Sequence, residues 1–145
     1  MKRVKRFLCA ALAICTLAGL LKTAASAAVE RSSAYLSMYS AFLTADGNGE
    51  ISVTVDVRGR GYMTEIGAET IYIYESDDNV DFFLVATYEA ADYPEMLGSG
   101  TFYYETPIVH EGTAGKYYFA VVEVHAGNAN GSDTKDYETS SIRAT

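Results

Sequence analysis

The alternation of apolar and polar residues is clearest in "ISVTVDV", where Ile51, Val53, Val55 and Val57 take turns with Ser52, Thr54 and Asp56. A period of two places one set of side chains on an inner face and the other outward, so this stretch predicts a half-buried β-strand. Upstream, "YLSMYSAFLT" alternates less cleanly, with Tyr39, Ala41 and Leu43 as its inner set. Farther on, "AETIYIYE" is apolar on both faces around Ile71 and Ile73 and predicts a central strand. "DFFLVATYEA" and "TFYYETPIVHEG" follow as strands, the second confined to an edge or a bulge by Pro107. "KYYFAVVEVHA" is the second strong strand, and parity makes Tyr118, Ala120, Val122 and Val124 its apolar face. "TKDYETSSIRA" alternates weakly and ends the sheet.

Between these runs the chain is punctuated by turn formers. "RGRGYMTEIG" is expected to be loop-like through Gly59 and Gly61, "SDDNV" to turn through Asp and Asn, and "GNANGSD" to form a turn or loop. Only "ADYPEMLGSG" has helical signals, with Pro94 suited to a first helical position and Gly98 to a stop, which leaves room for one or two turns. About seven short, evenly spaced strands with almost no helix predict an all-β, two-sheet antiparallel sandwich.

The first residues belong to a different pattern. A basic start (Lys2, Arg3, Lys5, Arg6) precedes an apolar run from Phe7 to Leu21 and a small-residue end at Ala25-Ser26-Ala27, the arrangement of a secretory signal peptide. The run is shorter than the roughly 20 helical residues a bilayer core requires, and Lys22 interrupts it. Cleavage after Ala27, or after Ala28, is expected, leaving 28–145 as one domain and no membrane segment. A bulky Ile14 before Cys15 makes "LAIC" a poor lipid-attachment site. Cys9 and Cys15 both leave with the signal, so no disulfide staples the remainder; a single domain of about 120 residues buries enough surface to fold without one.

Removal of residues 1–27 takes five of the 11 basic residues and none of the 19 acidic ones, leaving six against 19, a net charge of −13. No basic footprint for a phosphate backbone remains, so nucleic acid is not an expected partner.

"TADGNGEI" places Asp46, Asn48, Gly49 and Ile51 at the spacing of the middle of a helix-loop-helix calcium loop. Its ends do not fit: Thr44 and Val55 stand where the first carboxylate and the bidentate Glu belong, and both flanks have strand periodicity. The expectation is a tight hairpin turn built on Gly47 and Gly49. "ESDDNVD" holds Glu75, Asp77, Asp78 and Asp81, which could gather around calcium if the loop curled back; a solvated connection is the plainer reading. No cofactor is otherwise implied. His110 and His125 lack the partners a zinc site needs, no Gly-x-Ser-x-Gly elbow is present, and Asn130-Gly131-Ser132 reads as a turn before it reads as a glycosylation site.

The 12 tyrosines are the most suggestive candidates for binding, because exposed Tyr offers a flat apolar surface with a polar tip. In a strand, neighbours point to opposite faces, so one member of each doublet, Tyr103-Tyr104 and Tyr117-Tyr118, is expected to face outward.

"EGTAGKYYFAVVEV" resembles the turn-then-Tyr entry to the sixth strand of immunoglobulin-like and fibronectin type III-like domains, where a tyrosine corner pins a connection; Tyr117 and Tyr118 both remain candidates for that residue. The segments "YLSMYSAFLTADGNGEISVTV", "IGAETIYIYESDD", "EGTAGKYYFAVVEVHAG" and "GSDTKDYETSSI" resemble a family of small secreted proteins of Gram-positive, often gut-dwelling, bacteria. That resemblance implies export and a compact β-domain and supplies no catalytic or ligand residue. The functional expectation is a secreted, non-catalytic module binding an extracellular glycan, cell-wall or host-surface partner. Its alternatives are an assembly subunit that pairs an edge strand such as "TKDYETSSI", and, third, a secreted hydrolase.

Overall fold

A computed structural model describes residues 33–145, so the expected signal-peptide helix and cleavage site lie outside the described residues. The described chain is a two-sheet antiparallel β-sandwich. One sheet has the order β1-β2-β6, made of β1 (Leu36–Gly47), β2 (Glu50–Met63) and β6 (Thr101–Glu111). The other has the order β4-β3-β7-β8, made of β3 (Glu65–Ser76), β4 (Phe83–Glu89), β7 (Tyr117–Asn128) and β8 (Gly131–Glu138). Two-residue strands complete it: β5 (Leu97–Gly98) pairs with β3, and β9 (Ile142–Arg143) pairs with β7. The seven long strands are those the periodicity predicts. Constant-type immunoglobulin sandwiches place the fourth strand beside the fifth, whereas here the fourth long strand lies beside the third.

Strict alternation in β2 buries Ile51, Val53, Val55 and Val57 completely, and in β7 it buries Tyr118, Ala120, Val122, Val124 and Ala126. Each fully buried aliphatic side chain of this size contributes about 1.5–3 kcal/mol. The core set of β3 changes parity, from Ile66 and Ala68 to Ile71 and Ile73, because its register against β7 shifts between Ala68 and Thr70. That irregularity turns Tyr72 and Tyr74 to the outer face.

"RGRGYMTEIG" is strand for most of its length and not a loop. β2 continues to Met63 because Arg60 N–H donates to the Tyr35 carbonyl at 2.8 Å and a bare Gly59 leaves room for the buried Met63 side chain. The helical candidate shrinks to one 3-10 turn, Pro94–Met96, with proline in its first turn as expected; Gly98 belongs to β5 instead of terminating a helix. That turn packs against Gly67, whose φ is +149° and whose missing Cβ would stand 2.1 Å from the Met96 carbonyl oxygen. The residues before β1 are held by Asp133, which accepts from the Ser33 hydroxyl at 2.6 Å and the Tyr35 N–H at 2.8 Å.

Candidate functional site

"TADGNGEI" is a hairpin. Gly47 pairs with Glu50, and the two connecting residues, Asn48 and Gly49, both have positive φ (57° and 88°), as a type I′ turn requires. Asp46 accepts hydrogen bonds from Ser52 and Thr44 on the flanking strands, so its carboxylate faces neighbouring hydroxyls.

Glu75 at the end of β3 and Asp77, Asp78 and Asp81 of the β3–β4 connection line one open recess but have different partners. Glu75 accepts from Lys116 Nζ at 2.8 Å and from the Tyr118 hydroxyl at 2.5 Å, and these two bonds, Lys116 first, hold its carboxyl below the usual range. Asp77 meets the same ammonium at 3.1 Å, and the bonds to Glu75 and Asp77 push the Lys116 pKa up to about 12. Asp78 accepts from the N–H groups of Asp81 and Val80 and from the Ser76 hydroxyl, which lowers its carboxyl; it closes the local turn. Asp81 is exposed. Among the described residues no group of three or more His, Cys, Asp or Glu is placed to hold a metal ion.

Nor do the histidines combine. Nδ1 of His110 is hydrogen-bonded to the Tyr88 hydroxyl at 2.9 Å, joining β6 to β4 across the sandwich, and burial holds its pKa below the ordinary value. His125 stands with Thr134 and Glu69 on β8 and β3.

The tyrosine doublets divide as strand parity requires, but they do not share a surface. Tyr118 is fully buried; its hydroxyl accepts from the Thr113 N–H at 2.7 Å while donating to Glu75, so Tyr118 is the corner residue left open by the sequence. Tyr117 points the other way, beneath Arg143 at 5.7 Å. Tyr104 is turned inward against Gly98 and donates to the Glu95 carbonyl at 2.7 Å. Tyr103 is on the outer face of the three-stranded sheet, under Arg58 and bonded to Glu105. Tyr103, Tyr117 and Tyr118 are engaged within their own sheet, and Tyr104 by the 3-10 turn and by β5 of the other.

The aromatic surface lies elsewhere, on the outer face of the larger sheet. Tyr74 of β3 and Phe119 of β7 are cross-strand partners whose rings stack at 4.8 Å with an interplanar angle of 3°. Phe82, from the β3–β4 connection, meets Phe119 edge-on at 4.8 Å. Tyr72 and Val121 form the next cross-strand pair, and Leu84 of β4 flanks Tyr74. The signal in the sequence is that "IYIY" and "YYFAVV" are apolar at both parities, which strands with one wet face do not need.

Phe82 and Phe119 wall an open recess of about 600 Å³ whose rim is polar: Asn79, Glu138, Ser140 and Ser141. Buried Thr139 positions that rim. Its hydroxyl accepts from Ala120 N–H and its own N–H donates to the Ala120 carbonyl, both at 2.9 Å, anchoring the β8–β9 link beside β7. The Ser141 hydroxyl donates to Asn79 Oδ1 at 2.7 Å and ties that link to the β3–β4 connection. An apolar wall with several fixed hydroxyl, amide and carboxylate groups can bind a ligand that has an apolar face and a hydroxylated edge.

Comparison with known protein families and with curated proteins finds no family model and no protein that matches this sequence. No helix among the described residues is long and apolar enough to cross a membrane.

Proposed function

We propose that the chain is an exported, non-catalytic binding module that recognises an extracellular glycan of a cell wall or host surface. One observation carries this reading: Phe82 and Phe119, the latter backed by the stacked Tyr74 ring, wall an open, polar-rimmed recess on a strand face that packing alone would leave hydrophilic. A pyranose presents an apolar face to such a wall and its hydroxyls to a rim like that of Asn79, Ser140 and Ser141. The signal-peptide pattern of residues 1–27 and the resemblance to small secreted proteins of Gram-positive bacteria support export.

The test is binding of the purified protein to an array of bacterial wall polysaccharides and host mucin glycans, with calcium or with chelator. Saturable binding abolished by Phe119→Ala or Phe82→Ala, with the circular dichroism spectrum unchanged, is the expected result. Absence of binding to every glycan refutes the reading, and loss in chelator alone moves the site to Glu75, Asp77, Asp78 and Asp81.

A second reading, assembly by strand addition, draws on β4. The edge considered from the sequence, β8, carries Asp133, Lys135, Asp136 and Glu138, which discourage pairing. In contrast β4 is uncharged from Phe83 to Tyr88 and exposes Phe83, Leu84 and Val85 at the sheet edge. Light scattering decides: a dimer or polymer broken by Val85→Lys supports assembly, and a monomer at all concentrations removes it.

A further inference from the structure

The charge pattern around the aromatic recess narrows the ligand. Among the described residues, Glu138 is the only charged one lining the recess. Cross-strand pairing continues the outer face away from it through Thr87, Tyr72, Val121 and Glu138, and then through Glu89, Thr70, Glu123 and Asp136. Four carboxylates therefore stand on that face of β4, β7 and β8, and none of the outward residues of β3, β4, β7 or β8 is Lys or Arg. Lys135 of β8 pairs with buried Val124 and so has the opposite parity to Asp136 and Glu138, and two further cations have partners of their own. Arg143 Nε donates to the Gly115 carbonyl at 2.8 Å with its guanidinium over Tyr117, and Lys116 is held by Glu75 and Asp77.

Aromatic and acidic groups are also continuous along the sheet. Phe119 and Glu123 are four residues apart on β7, about 13 Å at the rise of a strand, which is longer than one sugar ring. Tyr72 joins the two halves, its hydroxyl 3.4 Å from Glu123 Oε2. A ligand lying along β7 would rest rings on Phe119 and Tyr72 and pass its substituents between Glu138, Glu123 and Asp136. Acidic sugars and phosphate-bearing polymers would meet only like charge there, in a chain with 11 basic and 19 acidic residues.

We infer that this face selects an amine-bearing glycan, a linear polymer of hexosamine units with free ammonium groups, over neutral and anionic ones. The inference rests on the glycan-binding reading above and specifies its ligand class. The aromatic wall supplies contact area common to all sugars. The carboxylates supply discrimination, because an ammonium placed at Glu138 or Glu123 gains an ion pair that an N-acetyl group does not. A basic peptide would satisfy the carboxylates equally, but it has no pyranose face to lay against Phe82 and Phe119.

The experiment compares four probes by calorimetry with the purified protein: a β-1,4-glucosamine hexamer, its fully N-acetylated counterpart, a galacturonate hexamer and a lysine-rich peptide of similar charge. Surface ion pairs are individually weak, so two or three of them give about a tenfold preference for the glucosamine hexamer over the N-acetylated one at low salt. That preference should shrink as ionic strength passes about 0.1 M. The paired change Glu123→Gln and Glu138→Gln should remove most of the preference by weakening the glucosamine hexamer several-fold more than the N-acetylated one, whereas Phe82→Ala should weaken both sugars alike. Equal affinity for the free and N-acetylated hexamers overturns this inference and leaves the glycan reading standing. Binding of the peptide as tight as that of the amino sugar, or no binding of any sugar, overturns both.

Discussion

Replacing Tyr118 with Phe removes a single oxygen from the core and tests the corner directly. The hydroxyl has no exposed surface and serves two partners, accepting from the Thr113 N–H and donating to Glu75. Hydrogen bonds to a charged group are worth about 1.5–3 kcal/mol, and the partial exposure of Glu75 places this one at about 1.5. Leaving the Thr113 N–H without its acceptor costs about 1 kcal/mol more. The expected loss is therefore about 2.5 kcal/mol, which for a domain of about 110 residues lowers Tm by about 10 °C. Urea and thermal unfolding followed by circular dichroism measure it, with the urea slope unchanged. Glu75→Gln and the double variant complete a cycle whose coupling should be about 1 kcal/mol, because the two groups share one bond. A loss below about 0.5 kcal/mol with no coupling would refute the corner as a stabilising element and reduce Tyr118 to a space-filling residue.

Two glycines with positive φ should respond very differently to alanine. Gly67→Ala forces a Cβ against the Met96 carbonyl and should cost more than about 3 kcal/mol, displacing the 3-10 turn, while Gly47→Ala opens into free space and carries only the backbone strain of about 1–2 kcal/mol; thermal denaturation of both variants checks the ranking. Stability should fall on acidification in two steps. His110 has a lowered folded pKa, so the unfolded chain binds its proton first, and that contribution, complete above the ordinary imidazole value of 6.5, is lost as pH falls below it. Glu75 is also lowered, so its contribution holds above the ordinary glutamate value of 4.5 and is lost as pH falls through its folded pKa. In a series of urea titrations from pH 7.5 to 3, His110→Phe should flatten the first step and leave the second; an unchanged first step would exclude His110 as its source.

How far the sequence reaches differs from element to element. The inner faces of β2 and β7 are legible because unbroken period-two alternation has one way to bury its apolar set. "RGRGYMTEIG" misleads because glycines mark flexible backbone in isolation, and only the carbonyl of Tyr35 and the buried side chain of Met63 show that this backbone is extended. The tyrosine doublets are correctly split by parity, yet parity cannot say which face has a neighbour: Tyr118 finds Thr113 and Glu75, and Tyr103 finds Arg58. The recess is harder still, since Phe82, Phe119 and Ser140 come from three segments brought together only by sheet order.

The order of apolar and polar residues, acting within a few neighbours, thus determined the strands, the Asn48-Gly49 turn and the all-β class. Sheet order, the corner role of Tyr118, the separate partners of the "ESDDNVD" carboxylates and the aromatic recess were decided by tertiary structure alone. Strand pairing joins residues tens of positions apart, and a side chain's partner across that distance depends on which strands become neighbours, a choice no local pattern encodes.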